Sequence, residues 1–270
     1  GIGRCYLDLY PRKNKYGHAA CFPIVMGRVE GDTYQIPTIA LLCNFPKPTE
    51  EQPSLLQHGQ VTTFFHEFGH ALHNLLTQSP VMTYAGTNVV HDFVEVPSQL
   101  FENWCWNYES LQLFAKHYKT GKVFPAELFD KMLAAKNVGS GLHILQQILY
   151  GTYDLTLHDS TEKLDTTQTF KTLQEKITLF PFFEETHFEA AFGHLMGYGA
   201  SYYGYLWSLV YAEDMFSAFE TEGVLNSKIG LTYRKEVLSK GGSKDEMEQI
   251  KAFLDREPKQ EAFLKSIGLK

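Results

Sequence analysis

Cysteine is scarce in this chain. Its four cysteines, Cys5, Cys21, Cys43 and Cys105, form no C-x-x-C pair, which speaks against a thiolate zinc module. No apolar run approaches the ~20 residues of a membrane-spanning helix, so no membrane partner is expected. Positive charge is also short: 24 Lys and Arg stand against 31 Asp and Glu, for a net charge of −7. No basic patch breaks that balance, which argues against nucleic acid as a partner. The opening Gly1-Ile2-Gly3 lacks the third glycine and the following helix of a dinucleotide fingerprint. Repeats, low-complexity tracts and flexible linkers are absent. With no signal-peptide pattern in view, the cysteines read as reduced thiols, and a cytoplasmic monomer is expected.

What is present is apolar and aromatic residue in quantity, at 44% and 14% of 270 residues, enough for a large core. Residues 4–45 hold β-type runs at 5–10, 18–29 and 34–44, with Gly31-Asp32 as a hairpin turn between the last two. Three prolines make residues 45–53 a loop. From residue 54 the pattern is helical, with candidates at 55–78, 93–118, 125–137, 141–158, 167–179, 201–222, 245–254 and 258–266. Pro125 and Pro258 suit first helical turns, and Ser243 is a candidate cap for the helix at 245. The predicted fold is mainly α with a small β-sheet flank (α+β), organised as one domain over 1–270, β-rich to 45 and helical from 54. The sheet is expected to border the first helix.

That helix carries the sharpest chemical signal, His66-Glu67-Phe68-Gly69-His70. An H-E-x-x-H pentapeptide arises by chance about 0.03 times in a chain of this composition. Here it lies in a proline-free window, 61–77, flanked by Phe64, Phe65, Ala71 and Leu72. Residues i and i+4 share a helix face, so both imidazoles reach one metal ion, and Glu67 stands beside a metal-activated water as general base. The alternative is an accidental buried histidine pair.

Two histidines leave a zinc ion short of one protein ligand. The H-E-x-x-H-x-x-G-x-x-H class is excluded, because His73 and Leu76 occupy the glycine and third-histidine positions. His73 lies about 10 Å of helix rise from His66 and reads as a packing residue or as support for a ligand. Glu95, from a following helix, meets the need. It is either a solvated helix glutamate or a buried ligand, and its neighbours Phe93, Val94, Val96, Leu100 and Phe101 favour burial. Glu102 lies one heptad on, so it shares a face with Glu95, Ser98 and Gln99. Pro97 is expected in the first turn of that helix or at a kink. Further along, Gly197 and Gly199 flank Tyr198 and favour a mobile loop. Tyr202, Tyr205 and Leu209 by themselves read as the packed face of the next helix.

Taken together, these segments resemble the catalytic half of the M3 family of zinc metallopeptidases, on its thimet oligopeptidase and neurolysin side. The resemblance runs over nearly the whole chain. It rests on His66 through His73, on Asp92-Phe93-Val94-Glu95-Val96-Pro97-Ser98-Gln99 with Glu102-Asn103-Trp104, and on Tyr6-Leu7-Asp8-Leu9-Tyr10-Pro11-Arg12 with Lys15 through Ala20. It also rests on Phe192-Gly193-His194-Leu195 leading to Tyr202 through Trp207. It implies a zincin-type catalytic domain with one zinc ion bound by His66, His70 and Glu95, and with Glu67 as base. It implies Tyr205, Tyr198 and His194 in catalysis, and Tyr202, His194 and Tyr198 at the substrate. Short peptides are the implied substrates. A helical region preceding this portion in the same protein is the implied partner, so the chain is expected to be a C-terminal catalytic fragment, weakly active or inactive alone. Met196-Gly197 departs from the thimet pattern of two adjacent glycines and is closer to the mitochondrial intermediate peptidase branch. The competing functions are dipeptidyl carboxypeptidase activity, presequence trimming, inactive peptide binding and a structural zinc site. An intact Glu67 and only three ligands argue against the last. A zinc aminopeptidase would show a G-x-M-E-N segment, and none is present.

Overall fold

The computed structural model describes residues 1–269. Strands β1 (Arg4–Asp8), β2 (Ala20–Val25) and β5 (Thr38–Leu42) form a sheet in the order β1-β5-β2. β5 runs parallel to β1 and antiparallel to β2. Strands β3 (Arg28–Glu30) and β4 (Thr33–Gln35) pair separately across Gly31-Asp32, with Gly31 at φ 59°, as the turn signal predicts. The two longer strands expected at 18–29 and 34–44 are therefore each broken. Pro37, which has no N–H to donate, falls in the second break. Gly27 falls in the first, where the Tyr34 hydroxyl leaves no room for a Cβ.

Ile39 and Leu41 alternate along β5 and are fully buried. With Cys43 and Phe45 they pack on α1 (His58–Leu75) through Phe64, Phe68, Ala71 and Leu75. The period of two in the strand thus meets one face of the 3.6-residue helix, and the sheet borders the H-E-x-x-H helix as expected.

The helix expected over 93–118 is three pieces: α2 (Val96–Glu102), a 3₁₀ turn (Asn103–Trp106) and α3 (Tyr108–Phe114). Pro97 sits in the first turn of α2, where a missing N–H costs nothing. Asn107 is extended, and its side chain accepts from the Ser110 N–H, capping α3. Next come α4 (Ala126–Ala135), α5 (Ser140–Asp159), α6 (Thr166–Ile177) and α7 (Gly204–Glu222). α8 (Ser227–Tyr233) with the π-helical turn Arg234–Leu238 was not expected from the sequence. α9 (Glu246–Leu254) is capped by Asp245, which accepts from the Glu248 N–H, rather than by Ser243. α10 (Glu261–Ser266) starts after Pro258, not at it. Pro125 likewise caps α4 from outside.

The main core joins α2, α7 and α9 through Val96, Leu100, Met215, Phe219 and Phe253. Each such side chain contributes roughly 1.5–3 kcal/mol of burial. A smaller aromatic cluster joins α5 and α6 to the segment before α7 through Tyr153, Phe170, Phe192 and Tyr202. Among the described residues no helix is long and apolar enough to cross a membrane.

Candidate metal centre

Gly69 lies inside α1, where glycine costs about 1 kcal/mol relative to alanine. Its use is steric. A Cβ there would stand 2.6 Å from Ser98 Cα and 2.7 Å from the Pro97 carbonyl oxygen. The backbones of α1 and α2 meet at this point, and the crossing carries His66 and His70 against the start of α2.

Glu95 is the residue that opens α2, in a right-handed turn at φ −87° and ψ −4°, where the expected helix over 93–118 would have had it as the third residue. It is 7% exposed. Its Oε2 lies 3.2 Å from His66 Nε2 and 3.1 Å from His70 Nε2. The Ser98 hydroxyl lies within hydrogen-bonding reach of both the same oxygen, at 2.8 Å, and the Glu95 carbonyl, at 2.9 Å. Behind His66, Nδ1 lies 2.7 Å from Glu102 Oε1, so the carboxylate one heptad on fixes the ring orientation.

The electrostatics follow from this packing. Burial alone would raise the Glu95 pKa, but the two imidazoles outweigh it and hold the carboxyl well below the usual range. Burial would likewise lower the His66 pKa, yet the bonds to Glu102 and Glu95 push it up to about 10. A field that favours a proton on His66 also favours a metal cation in its place. Glu67 is 7% exposed. Burial raises its pKa, against the pull of His66 and His70, and the Cys21 backbone of β2 lies beside it.

His73 is fully buried and neither ring nitrogen has a hydrogen-bond partner. Its ring packs edge-on to Phe93, and burial drives its pKa down to about 3, so it is a packing residue.

Tyr205, Tyr198 and His194 form an aromatic group, in which the Tyr198 hydroxyl donates to the His91 carbonyl at 3.4 Å. Tyr205 Oη lies 3.4 Å from His194 Nε2, and the Tyr198 and Tyr205 rings are 5.9 Å apart. Burial first, then the Glu95 charge, raises the pKa of both tyrosines, so both hydroxyls stay protonated in the field of the histidine–glutamate trio. His194 is lowered by burial, while Asp154 and Glu95 oppose that shift. Tyr202 is brought into the same aromatic group, but its hydroxyl turns to α5 and donates to Gln147 Oε1 at 3.1 Å.

The family model for peptidase family M3 matches residues 1–269. The chain belongs to that family. It is similar to the thimet-like oligopeptidase of Dictyostelium discoideum, 42% identical over 275 residues, covering 99% of this chain and 41% of that protein. It is similar to oligopeptidase A of Escherichia coli K12, 42% identical over 278 residues, covering 99% of this chain and 40% of that protein. The solved structure of PZ peptidase A with an inhibitor aligns at a TM-score of 0.64 and 16% identity, over 97% of this chain and 42% of that one. That likeness shows the fold, a zincin-type α+β domain. This M3 chain spans about two fifths of the length of the curated relatives it matches.

The donor set of the M3 chain fits a metal ion. Nitrogens of His66 and His70 and an oxygen of Glu95 all lie within 4.8 Å of one another. Tetrahedral zinc with bonds of about 2.0–2.1 Å sets neighbouring ligand atoms about 3.3 Å apart, close to the 3.1 and 3.2 Å seen between Glu95 and the histidines. Two features of this centre escaped sequence reasoning. The grip of Glu102 on His66 was visible only as a shared face, without a partner. The i, i+4 pair Asp154 and His158 on α5 was written in the sequence but had no evident target.

Proposed function

We propose that this chain carries the active site of a zinc-dependent endopeptidase of the oligopeptidase type, acting on short peptides. The observation that carries the reading is the convergence of both H-E-x-x-H imidazoles on one oxygen of Glu95, with Glu67 buried beside them. Zinc held by His66, His70 and Glu95 would lower the pKa of a water and polarise the scissile carbonyl. Glu67 takes the water proton and returns it to the leaving amine, a task its burial-raised pKa suits. Tyr205 donates its hydroxyl hydrogen to the developing oxyanion, with Tyr198 and His194 beside it. Tyr202, buried in the aromatic cluster, backs the Tyr205 ring while Gln147 holds its hydroxyl.

We read residues 1–270 as one catalytic unit of a monomeric protein whose further helical region closes the cleft. The free thiols of all four cysteines suit a cytoplasmic setting. Product mapping on a peptide library separates endopeptidase action from dipeptidyl release and presequence trimming. The deciding variant is Glu67→Gln in the full-length protein. It keeps the three metal ligands, so zinc content stays at one per chain, while kcat falls about 10²–10⁴-fold, the usual contribution of a general base. A smaller loss removes Glu67 from that role. Absence of turnover in the zinc-loaded wild type favours a peptide-binding protein instead.

A further inference from the structure

One face of α5 does work that the proposed reaction leaves unassigned. Gln147, Gly151, Asp154 and His158 recur at intervals of four, three and four residues, so they line one side of the helix. All four meet residues 199–203, the stretch that leads into Tyr205. Asp154 is 0% exposed. Its Oδ1 accepts from the Ala200 N–H at 3.0 Å and its Oδ2 from the Tyr202 N–H at 2.9 Å. His158 Nδ1 lies 3.0 Å from that same Oδ1, and the imidazole fills the space that a Cβ on Gly199 would need. Gly151 lets the Tyr203 backbone come within 3.3 Å of where its own Cβ would be. Gln147 holds the Tyr202 hydroxyl.

The far side of the same stretch is tied to the metal centre. The Tyr203 hydroxyl donates to Asp92 Oδ2 at 2.8 Å, and the Ser208 hydroxyl donates to the Asp92 carbonyl at 2.8 Å. Gln99 Nε2 donates to the Tyr205 carbonyl at 3.0 Å. Asp92 stands three residues before Glu95. Residues 199–205 therefore bridge a fixed helix face and the turn that presents the third candidate ligand.

A carboxylate has a specific use at this place. Two oxygens accept two backbone N–H groups two residues apart, and between them they hold Ala200 at φ 58°, a left-handed conformation that a residue with a Cβ rarely adopts unaided. An unpaired carboxylate would not be buried here, and the two amides satisfy it, while the hydrogen bond of His158 Nδ1 is to the Asp154 backbone carbonyl oxygen at 2.9 Å.

We propose that Asp154, with His158, is a positioning residue for the tyrosine side of the active site: it anchors residues 199–203 so that Tyr205 and Tyr198 face the histidine–glutamate trio. Asp154 touches neither substrate nor metal and acts on turnover through Tyr205. The inference rests on the role proposed above for Tyr205.

The test uses the full-length, zinc-loaded protein and a fluorogenic peptide. In Asp154→Asn an amide has one acceptor oxygen, so one of the two N–H groups is left facing an NH₂. His158→Ala and Gly199→Ala disturb the same anchor from its partly exposed edge and serve if Asp154→Asn does not fold. The expected result for each folded variant is unchanged zinc content and a KM within about twofold of wild type. In Asp154→Asn kcat falls about tenfold or more, and amide exchange over 199–203 speeds up about tenfold while α1 is unaffected. In a Tyr205→Phe background the same substitutions cause little further loss of kcat. Unchanged exchange overturns the anchor. Faster exchange with wild-type kcat, or losses that add to those of Tyr205→Phe, overturns the action through Tyr205. Wild-type kcat in Tyr205→Phe alone instead refutes the role given to that tyrosine, and exchange still decides whether Asp154 is the anchor.

Discussion

Gly69→Ala tests the crossing on which the metal centre depends. The added Cβ would stand 2.6 Å from Ser98 Cα, and ordinary contact begins at 3.4 Å, so the helices must part by about 0.8 Å. The obstacle is backbone, which cannot swing aside as a side chain does. Overpacking of this kind costs about 1–3 kcal/mol, and alanine's better helix propensity returns about 1 kcal/mol. The net expectation without metal is a destabilisation of about 0–2 kcal/mol. The larger effect falls on zinc. Glu95 leads directly into Pro97 and Ser98, so the displacement carries its oxygen away from His66 and His70, from 3.1–3.2 Å towards about 4 Å. Recovering the ligand geometry then draws on binding energy, and a zinc Kd weakened by about 10–100-fold is expected, equivalent to roughly 1.4–2.8 kcal/mol. The assays are a zinc titration against a competing chelator and a denaturant melt in chelator. Gly59, in the first turn of the same helix, has open space around its missing Cβ and provides the control. If Gly69→Ala matches Gly59→Ala in both assays, the close crossing is not what sets the site.

Three further outcomes are expected. Zinc at one hundred times its Kd should stabilise the protein by about 2.7 kcal/mol in a thermal or denaturant melt, and Glu95→Ala should abolish that gain. Glu102→Gln should keep the fold but weaken zinc about 10–100-fold in a chelator titration, because the carboxylate that orients His66 is gone; unchanged affinity would show that Glu102 is a bystander. Glu213 has its pKa raised by burial, against the pull of Lys136 and an Asn103 bond. A raised folded-state pKa gives stability that is present below the unfolded value of about 4.5 and lost as pH rises through the folded value. Glu213→Gln should therefore raise the denaturation midpoint at pH 8 and leave it unchanged at pH 4, and equal midpoints at both would contradict the burial cost.

The local parts of this site were legible in the sequence. His66 and His70 fall on one face because any helix places i and i+4 together, and Pro97 falls in the first turn because it has no N–H to give. Gly31-Asp32 makes a hairpin because glycine accepts a positive φ. Each of these depends on bonds within a few residues. The apolar neighbours of Glu95 pointed to a buried carboxylate, and the resemblance to family M3 added its pairing with His66 and His70 and the roles of the tyrosines, which no local rule supplied.

Tertiary structure decided how those parts meet. Residues 93–118 have an apolar pattern that one long helix would satisfy. They fold as a turn, α2, a 3₁₀ turn and α3, because Pro97 sets where α2 begins and an extended Asn107 caps a separate α3. The start of α2 at Val96 and Pro97 puts Glu95 at its threshold, facing two histidines 29 and 25 positions earlier. The expected start of α7 at 201 moved to Gly204: Ala200 is left-handed at φ 58°, and the N–H groups of Gly204 and Tyr205 donate to carbonyls only three residues back, on Ser201 and Tyr202, while Asp154 takes the amides of Ala200 and Tyr202. Helical periodicity reports which residues share a face, and that much the chain determined by itself. The partner of each face is set by contacts tens of residues apart, made only when α1, α2, α5 and α7 are packed together.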